Sequence, residues 1–211
     1  MVECAGVAPV RDMRLHAPPE DRVGVDARLA GRRYAVVAPT SRWEGKRWPD
    51  DRFARVIEAM VGEGVVERVG VVASGSERCQ CGAVLGLADR DPRVVDLVGR
   101  TGVGGLMALI EGSSFVLAND SAVLHMAVGF DRALVGLYGP TRVDRVGPYG
   151  RAGDVVQAVE PGPGVTHKDA AAGRAMMEAI SVERVIEAVM VRAGTGASAR
   201  GQAGTGSSGV G

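Results

Sequence analysis

Tyr34-Ala35-Val36-Val37-Ala38 leads into Pro39-Thr40-Ser41-Arg42-Trp43-Glu44-Gly45-Lys46-Arg47-Trp48-Pro49, and then into Asp50-Asp51-Arg52-Phe53. The first five residues are apolar and partly β-branched, with no polar alternation. Such a run reads as a strand buried on both faces, which belongs to a parallel sheet. Pro49 suits the start of a helix, and Asp50 and Asp51 complement its N-terminal dipole. Phe53, Val56, Ile57 and Met60 then recur at i, i+3, i+4 and i+7, one apolar helix face, before Gly62 and Gly64 close it. Strand, polar loop, helix is the repeating unit of this chain.

The unit recurs. Residues 69–73, 94–97, 115–118 and 133–138 read as further strands, with a last one at 155–159. Helices are expected at 76–88, around Leu106, Leu109 and Ile110, and at 121–129. A final helix carries Val182, Val185, Ile186 and Val189 at the same helical spacing. The glycine-rich stretch 102–105 reads as a loop. Strands alternating with helices predict an α/β fold, a parallel sheet covered on both faces, with ligands at the carboxyl ends of the strands. Chemistry is therefore expected just after Ala38, Ala73, Ala118 and Tyr138.

The ordered domain is expected over 33–192. Residues 1–32 lack periodicity and read as a linker or remnant, and the Gly/Ser/Ala-rich stretch 193–211 reads as a disordered tail. Among 211 residues, Lys+Arg and Asp+Glu each number 25, so no global basic field recommends nucleic acid as a partner. Three cysteines, Cys4, Cys79 and Cys81, form no disulfide framework, and the lone pair at 79 and 81 lacks the second ligand pair of a metal site. No apolar run approaches the ~20 residues that span a bilayer, and residues 1–22 lack the apolar core of a signal peptide. A cytoplasmic address is the expectation.

Four loops follow the strand ends. In the first, two hydroxyls (Thr40, Ser41) and an ammonium (Lys46) precede a helix N-terminus, a set suited to phosphate oxygens. The same residues also fit a solvated loop whose Trp48 staples the helix. In the second, Gly75 permits a tight turn and Ser76 can cap, while Glu77 either complements the helix dipole or accepts hydrogen bonds from ribose hydroxyls. In the third, Asn119-Asp120-Ser121-Ala122-Val123-Leu124-His125, the histidine lies one helical turn beyond Ser121 on the same face. These polar groups are either ligand contacts or a cap plus a satisfied histidine. The fourth, Tyr138-Gly139-Pro140-Thr141, places a glycine where backbone can approach a ligand, beside a hydroxyl. Neither a Walker A loop, a G-x-S-x-G elbow nor a G-x-G-x-x-G after the first strand is present, which argues against P-loop, serine-hydrolase and dehydrogenase readings.

In order and spacing, these loops together with Asp96-Leu97-Val98-Gly99-Arg100-Thr101, His125-Met126-Ala127, Pro148-Tyr149-Gly150 and residues 177–185 resemble glycosyltransferase family 9, the heptosyltransferases. The resemblance covers about 33–191 and implies a single Rossmann-like domain, the C-terminal donor-binding half of a two-domain enzyme. It implies a nucleotide-sugar donor such as ADP-heptose, inverting transfer to a glycan or lipopolysaccharide acceptor, no metal or other cofactor, and possible peripheral attachment at the inner membrane face. By resemblance Thr40, Ser41 and Lys46 hold the diphosphate, and Glu77 meets the ribose. Asp120 contacts the donor sugar, Ser121, Gly139 and Thr141 lie near the phosphates, and His125 supports the loop or the sugar. Lys46 and Asp120 are the expected catalytic residues. Two departures stand out: Ala122 occupies a position where the family usually has glycine, and the acceptor domain that carries the family's general base has no counterpart in this sequence. The competing readings are a non-catalytic nucleotide-sugar-binding module that needs a separate acceptor domain, and a sugar-nucleotide epimerase of similar fold.

Overall fold

A computed structural model describes residues 12–23, 25–165 and 168–202. Six parallel strands form one sheet: β1 (Tyr34–Ala38), β2 (Arg68–Val71), β3 (Val94–Asp96), β4 (Phe115–Asn119), β5 (Ala133–Leu137) and β6 (Val155–Val156), in the order β3-β2-β1-β4-β5-β6. The central pair is β1 with β4, in register Val36 to Val116 and Ala38 to Ala118. The chain fills the sheet outward in one direction from β1 and then restarts at β4. Their carboxyl ends therefore splay apart, at the switch point where doubly wound sheets open a crevice.

Each strand is buried on both faces because its side chains alternate between two cores. Ala35 and Val37 face a core with Phe53, Val56, Ile57 and Met60 of α2 (Asp50–Gly62) and Val185 and Val189 of α8 (Val182–Gln202). Helix α3 (Gly82–Ala88) adds Val84 and Leu87 to that side. Tyr34, Val36 and Ala38 face the other core, with Leu109 and Ile110 of α4 (Val103–Gly112) and Leu124 and Ala127 of α5 (Ala122–Gly129). Phe53 is wholly buried, so its truncation to alanine would cost about 3–5 kcal/mol.

Several expectations are corrected. The stretch read as a linker is packed from residue 12: α1 (Pro19–Val23) lies by α4, Leu29 and Ala17 are buried in the second core, and Arg22 pairs bidentately with Glu111. Isolated apolar residues do this work, which is why no periodicity announced it. Helix α8 runs on to Gln202, past the expected boundary at 192, while residues 203–211 lie outside the described residues. The helix expected over 76–88 is split into a 3-10 turn, Gly75–Gln80, and α3, with a break at Cys81 (φ −114°). The stretch 102–105 is the start of α4 rather than a loop, and the Asp21 carboxylate occupies the space where a side chain at Gly104 would stand.

Candidate functional site

At the carboxyl edge of the sheet, a pocket of about 840 Å³ opens beside the switch point. The loop after β1 forms one wall. Its geometry is set by Asn119, the wholly buried last residue of β4. The Asn119 amide donates to Pro39 O (2.7 Å), and its carbonyl accepts from the Trp48 backbone N–H (3.2 Å). One side chain thus pins both ends of the lysine loop. Trp48 packs edge-on to Phe53 and donates from Nε1 to Ile180 O at 3.0 Å. The staple role read from the sequence is therefore real, and it coexists with a loop middle that lines the pocket.

That middle brings Lys46 into the pocket. Its Nζ donates to Asp120 Oδ2 at 2.7 Å, and the two side chains are only 15% and 8% exposed. Residues 74 apart in sequence thereby meet across the two central strands. Asp120 also lies by the buried Tyr138 phenol, whose acidity falls because burial penalises the phenolate and the Asp120 charge adds to that penalty. On the far side of the lysine loop, Thr40 Oγ1 donates to Glu77 Oε2 at 2.9 Å. Glu77 is thus held over the pocket by the β1 loop.

Helix α5 begins at the pocket. Ser121 stands at its N-cap position, but its side chain makes no capping bond, and its buried Oγ has no protein partner. The capping reading of Ser121 is therefore overturned: the hydroxyl stands at the pocket, beside the first turn of α5, without a protein partner. Ala122 and His125 are exposed and line the same pocket, so the buried-histidine reading fails as well.

Thr40, Ser41, Lys46, Glu77, Asp120, Ser121 and His125 are all brought together here. Gly139 and Thr141 are not: neither lines the pocket. Met177 of α7 (Ala170–Glu178) fills the space before Gly139, where a Cβ would stand 2.7 Å from its Sδ. Gln157 Nε2 donates to Gly139 O (2.8 Å) and Thr141 O (3.1 Å). That glycine serves helix packing.

Sequence reasoning missed two parts of the site. One is the mouth, where the exposed Arg42 guanidinium lies 5.7 Å from the Trp43 ring centroid. The other is the wall after β3, formed by Gly99, Thr101, Gly102, Val103 and Leu106. Behind this wall Asp96 accepts from Arg78 (2.7 Å), with Arg100 at 3.7 Å. Burial pushes the Asp96 carboxyl up, but Arg78 and the Val98 N–H outweigh that and hold it below the usual range. The signal for this wall was the turn glycine Gly99, which has φ +73° and packs against Gly75. Cys79 is exposed and Cys81 buried, and burial pushes the Cys81 thiol up to about 11. Among the described residues no cluster of three or more metal-ligating side chains occurs.

Residues 9–172 match the family described as glycosyltransferase family 9 (heptosyltransferase). Lipopolysaccharide heptosyltransferase 2 of Salmonella typhimurium is 27% identical over 146 residues, covering 67% of this chain and 41% of that protein. Lipopolysaccharide heptosyltransferase 3 of Escherichia coli is 31% identical over 113 residues, 53% of this chain and 32% of that protein. Two solved structures share the fold at 20% identity. ADP-heptose lps heptosyltransferase II of E. coli has a TM-score of 0.69 over 86% of this chain and 54% of its own. A glycosyl transferase family 9 protein from Veillonella parvula has 0.70 over 92% and 58%. The chain spans about half the length, or less, of the relatives it matches.

Proposed function

This chain belongs to glycosyltransferase family 9, the heptosyltransferases, and on that premise we propose that its pocket holds a nucleoside diphosphate sugar, ADP-heptose or a close analogue. The observation that carries the reading is the meeting of Lys46 and Asp120 at the floor of a pocket into which α5 points its N-terminus and the unpartnered Ser121 hydroxyl. An ammonium, free helix amides and a free hydroxyl are what a diphosphate requires. Thr40 and Ser41 add hydroxyls to the phosphate end, and Glu77, held by Thr40, offers an acceptor to ribose hydroxyls.

In the proposed transfer, the bond between the anomeric carbon and the diphosphate oxygen breaks as an acceptor oxygen bonds to that carbon from the opposite face. Negative charge accumulates on the departing diphosphate. Lys46 and the amides of α5 stabilise it. Asp120 orients the donor sugar and Lys46 together. The acceptor hydroxyl gives its proton to a base on a second domain, which also supplies the acceptor site for a glycan or lipopolysaccharide. A second reading is a binding module that holds the donor and contributes to transfer only together with such a domain. That the lipopolysaccharide acceptor draws the assembled protein to the inner face of the membrane belongs to the same proposal.

Calorimetry with ADP, ADP-heptose and UDP tests the reading. ADP ligands should bind more tightly than UDP, and Lys46→Ala should weaken ADP at least tenfold. Equal affinity for wild type and Lys46→Ala removes Lys46 from the phosphate role. Turnover of ADP-heptose by this chain alone, with an acceptor glycan, would exclude the module reading.

A further inference from the structure

The lysine loop is supported from behind by α7, a helix that lines no part of the pocket. Gly45, immediately before Lys46, meets Gly173 backbone to backbone. A Cβ on Gly173 would stand 2.6 Å from Gly45 O, 2.7 Å from its Cα and 2.9 Å from its carbonyl carbon. A Cβ on Gly45 would stand 3.1 Å from Asp169 O and 3.3 Å from Gly173 Cα. The Gly173 position demands glycine for space and the Gly45 position is tight, and the atoms in the way are main-chain atoms, which cannot rotate aside.

The contact is locked on its flanks. Arg174 pairs with Glu44, one residue away on each side. Gly173 and Met177 lie on one face of α7, both buried, and Met177 packs against Gly139. Beyond the helix, Arg52 Nη1 donates to Glu178 O (2.6 Å) and Ile180 O (2.8 Å). Helix α7 is thus fixed against α2 and the β5 loop at one end, and meets Gly45 at the other.

We propose that Gly173 is a positioning residue: the Gly45–Gly173 contact sets how far the lysine loop stands out from the sheet, and so where the Lys46 ammonium sits in the pocket. The proposal rests on the reading of Lys46 as the diphosphate-binding group. Asn119 pins the loop at Pro39 and Trp48, so the displacement forced by a methyl on Gly173 falls on the residues between them, Lys46 included. A shift of about an ångström lengthens a charge-assisted hydrogen bond out of its favourable range and so costs part of its effect.

The test is ADP calorimetry on the full chain with Gly173→Ala, Lys46→Ala and the double variant, alongside thermal melts. Alanine is the better helix former, so a helix that only needed stability would gain from it. Gly173→Ala should weaken ADP about fivefold or more, and the double variant should bind like Lys46→Ala alone within twofold, because the glycine acts through the lysine. Wild-type affinity in Gly173→Ala, or the same loss on the Lys46→Ala background, overturns the proposal. Should Gly173→Ala not fold, Gly45→Ala, whose new contacts start at 3.1 Å, carries the same cycle with a smaller expected loss. Wild-type affinity in Lys46→Ala would overturn the functional reading itself, and is distinguishable because it appears in the single lysine variant.

Discussion

The Lys46–Asp120 pair can be tested without any ligand, by asking what happens when one partner is removed. At 2.7 Å, with an effective dielectric constant near 20, the bare attraction is roughly 6 kcal/mol, most of it offset by desolvation of the two ions. Removing one partner forfeits the attraction and leaves the other ion's desolvation uncompensated. For fully buried pairs that costs about 3–5 kcal/mol. Lys46 retains 15% exposure, so water relieves part of the cost and about 2–3 kcal/mol is expected for Lys46→Met. In a chain of this size that is a fall of roughly 5–10 °C in Tm. Lys46→Met/Asp120→Asn should be more stable than the sum of the two single losses predicts, by about 1–2 kcal/mol. Urea denaturation of the four proteins reads this directly. The exposed Arg55–Glu183 pair, at 60% and 74% exposure, is the control and should show coupling below about 0.5 kcal/mol. Additivity at Lys46 and Asp120 within about 0.5 kcal/mol would show that the pair does not act as a unit, and the reasoning would fail.

Two further outcomes follow from the same geometry. Asp120→Asn removes the carboxylate that competes with a diphosphate for Lys46, so ADP should bind about tenfold more tightly, from roughly 1–1.5 kcal/mol of relieved repulsion, while the advantage of ADP-heptose over ADP disappears; calorimetry showing unchanged or weaker ADP binding would count against it. Tyr34 is buried, donates to Leu109 O at 2.8 Å, and burial raises its phenol to about 12 from 10.0. An acid kept neutral by the fold contributes stability that is present below pH 10 and lost as pH rises toward 12. Wild type should therefore lose about 2 kcal/mol relative to Tyr34→Phe across that interval, and parallel urea midpoints for the two proteins would refute it.

The strands were legible in the sequence because each is a short continuous apolar run. β1 falls where residues 34–38 placed it, and the start of α2 was marked by Pro49 and its two acids. Sites at strand ends follow from that, and seven of the nine expected residues share the pocket. What escaped depends on contacts between distant segments. Leu29 is buried as a single residue in a polar stretch, below any periodic signal. The start of α4 was hidden by three glycines, of which Gly104 leaves room for the Asp21 carboxylate. Gly139 was taken for a ligand-facing glycine when the neighbour it accommodates is Met177, 38 positions later. The pairing of Lys46 with Asp120 is a property of strand order, since only the insertion of β4 beside β1 brings the two loops together.

The buried Asn119 amide makes the stretch from Pro39 to Trp48 a bridge resting on two fixed abutments, both belonging to the sheet and α2 rather than to the span. Between those supports the exposed residues Arg42 and Trp43 can be exchanged with the scaffold left standing, while Gly45 meets α7 backbone to backbone and Thr40 holds Glu77. Those two positions are therefore separable from the fold, whereas replacing Asn119 itself would release both abutments at once.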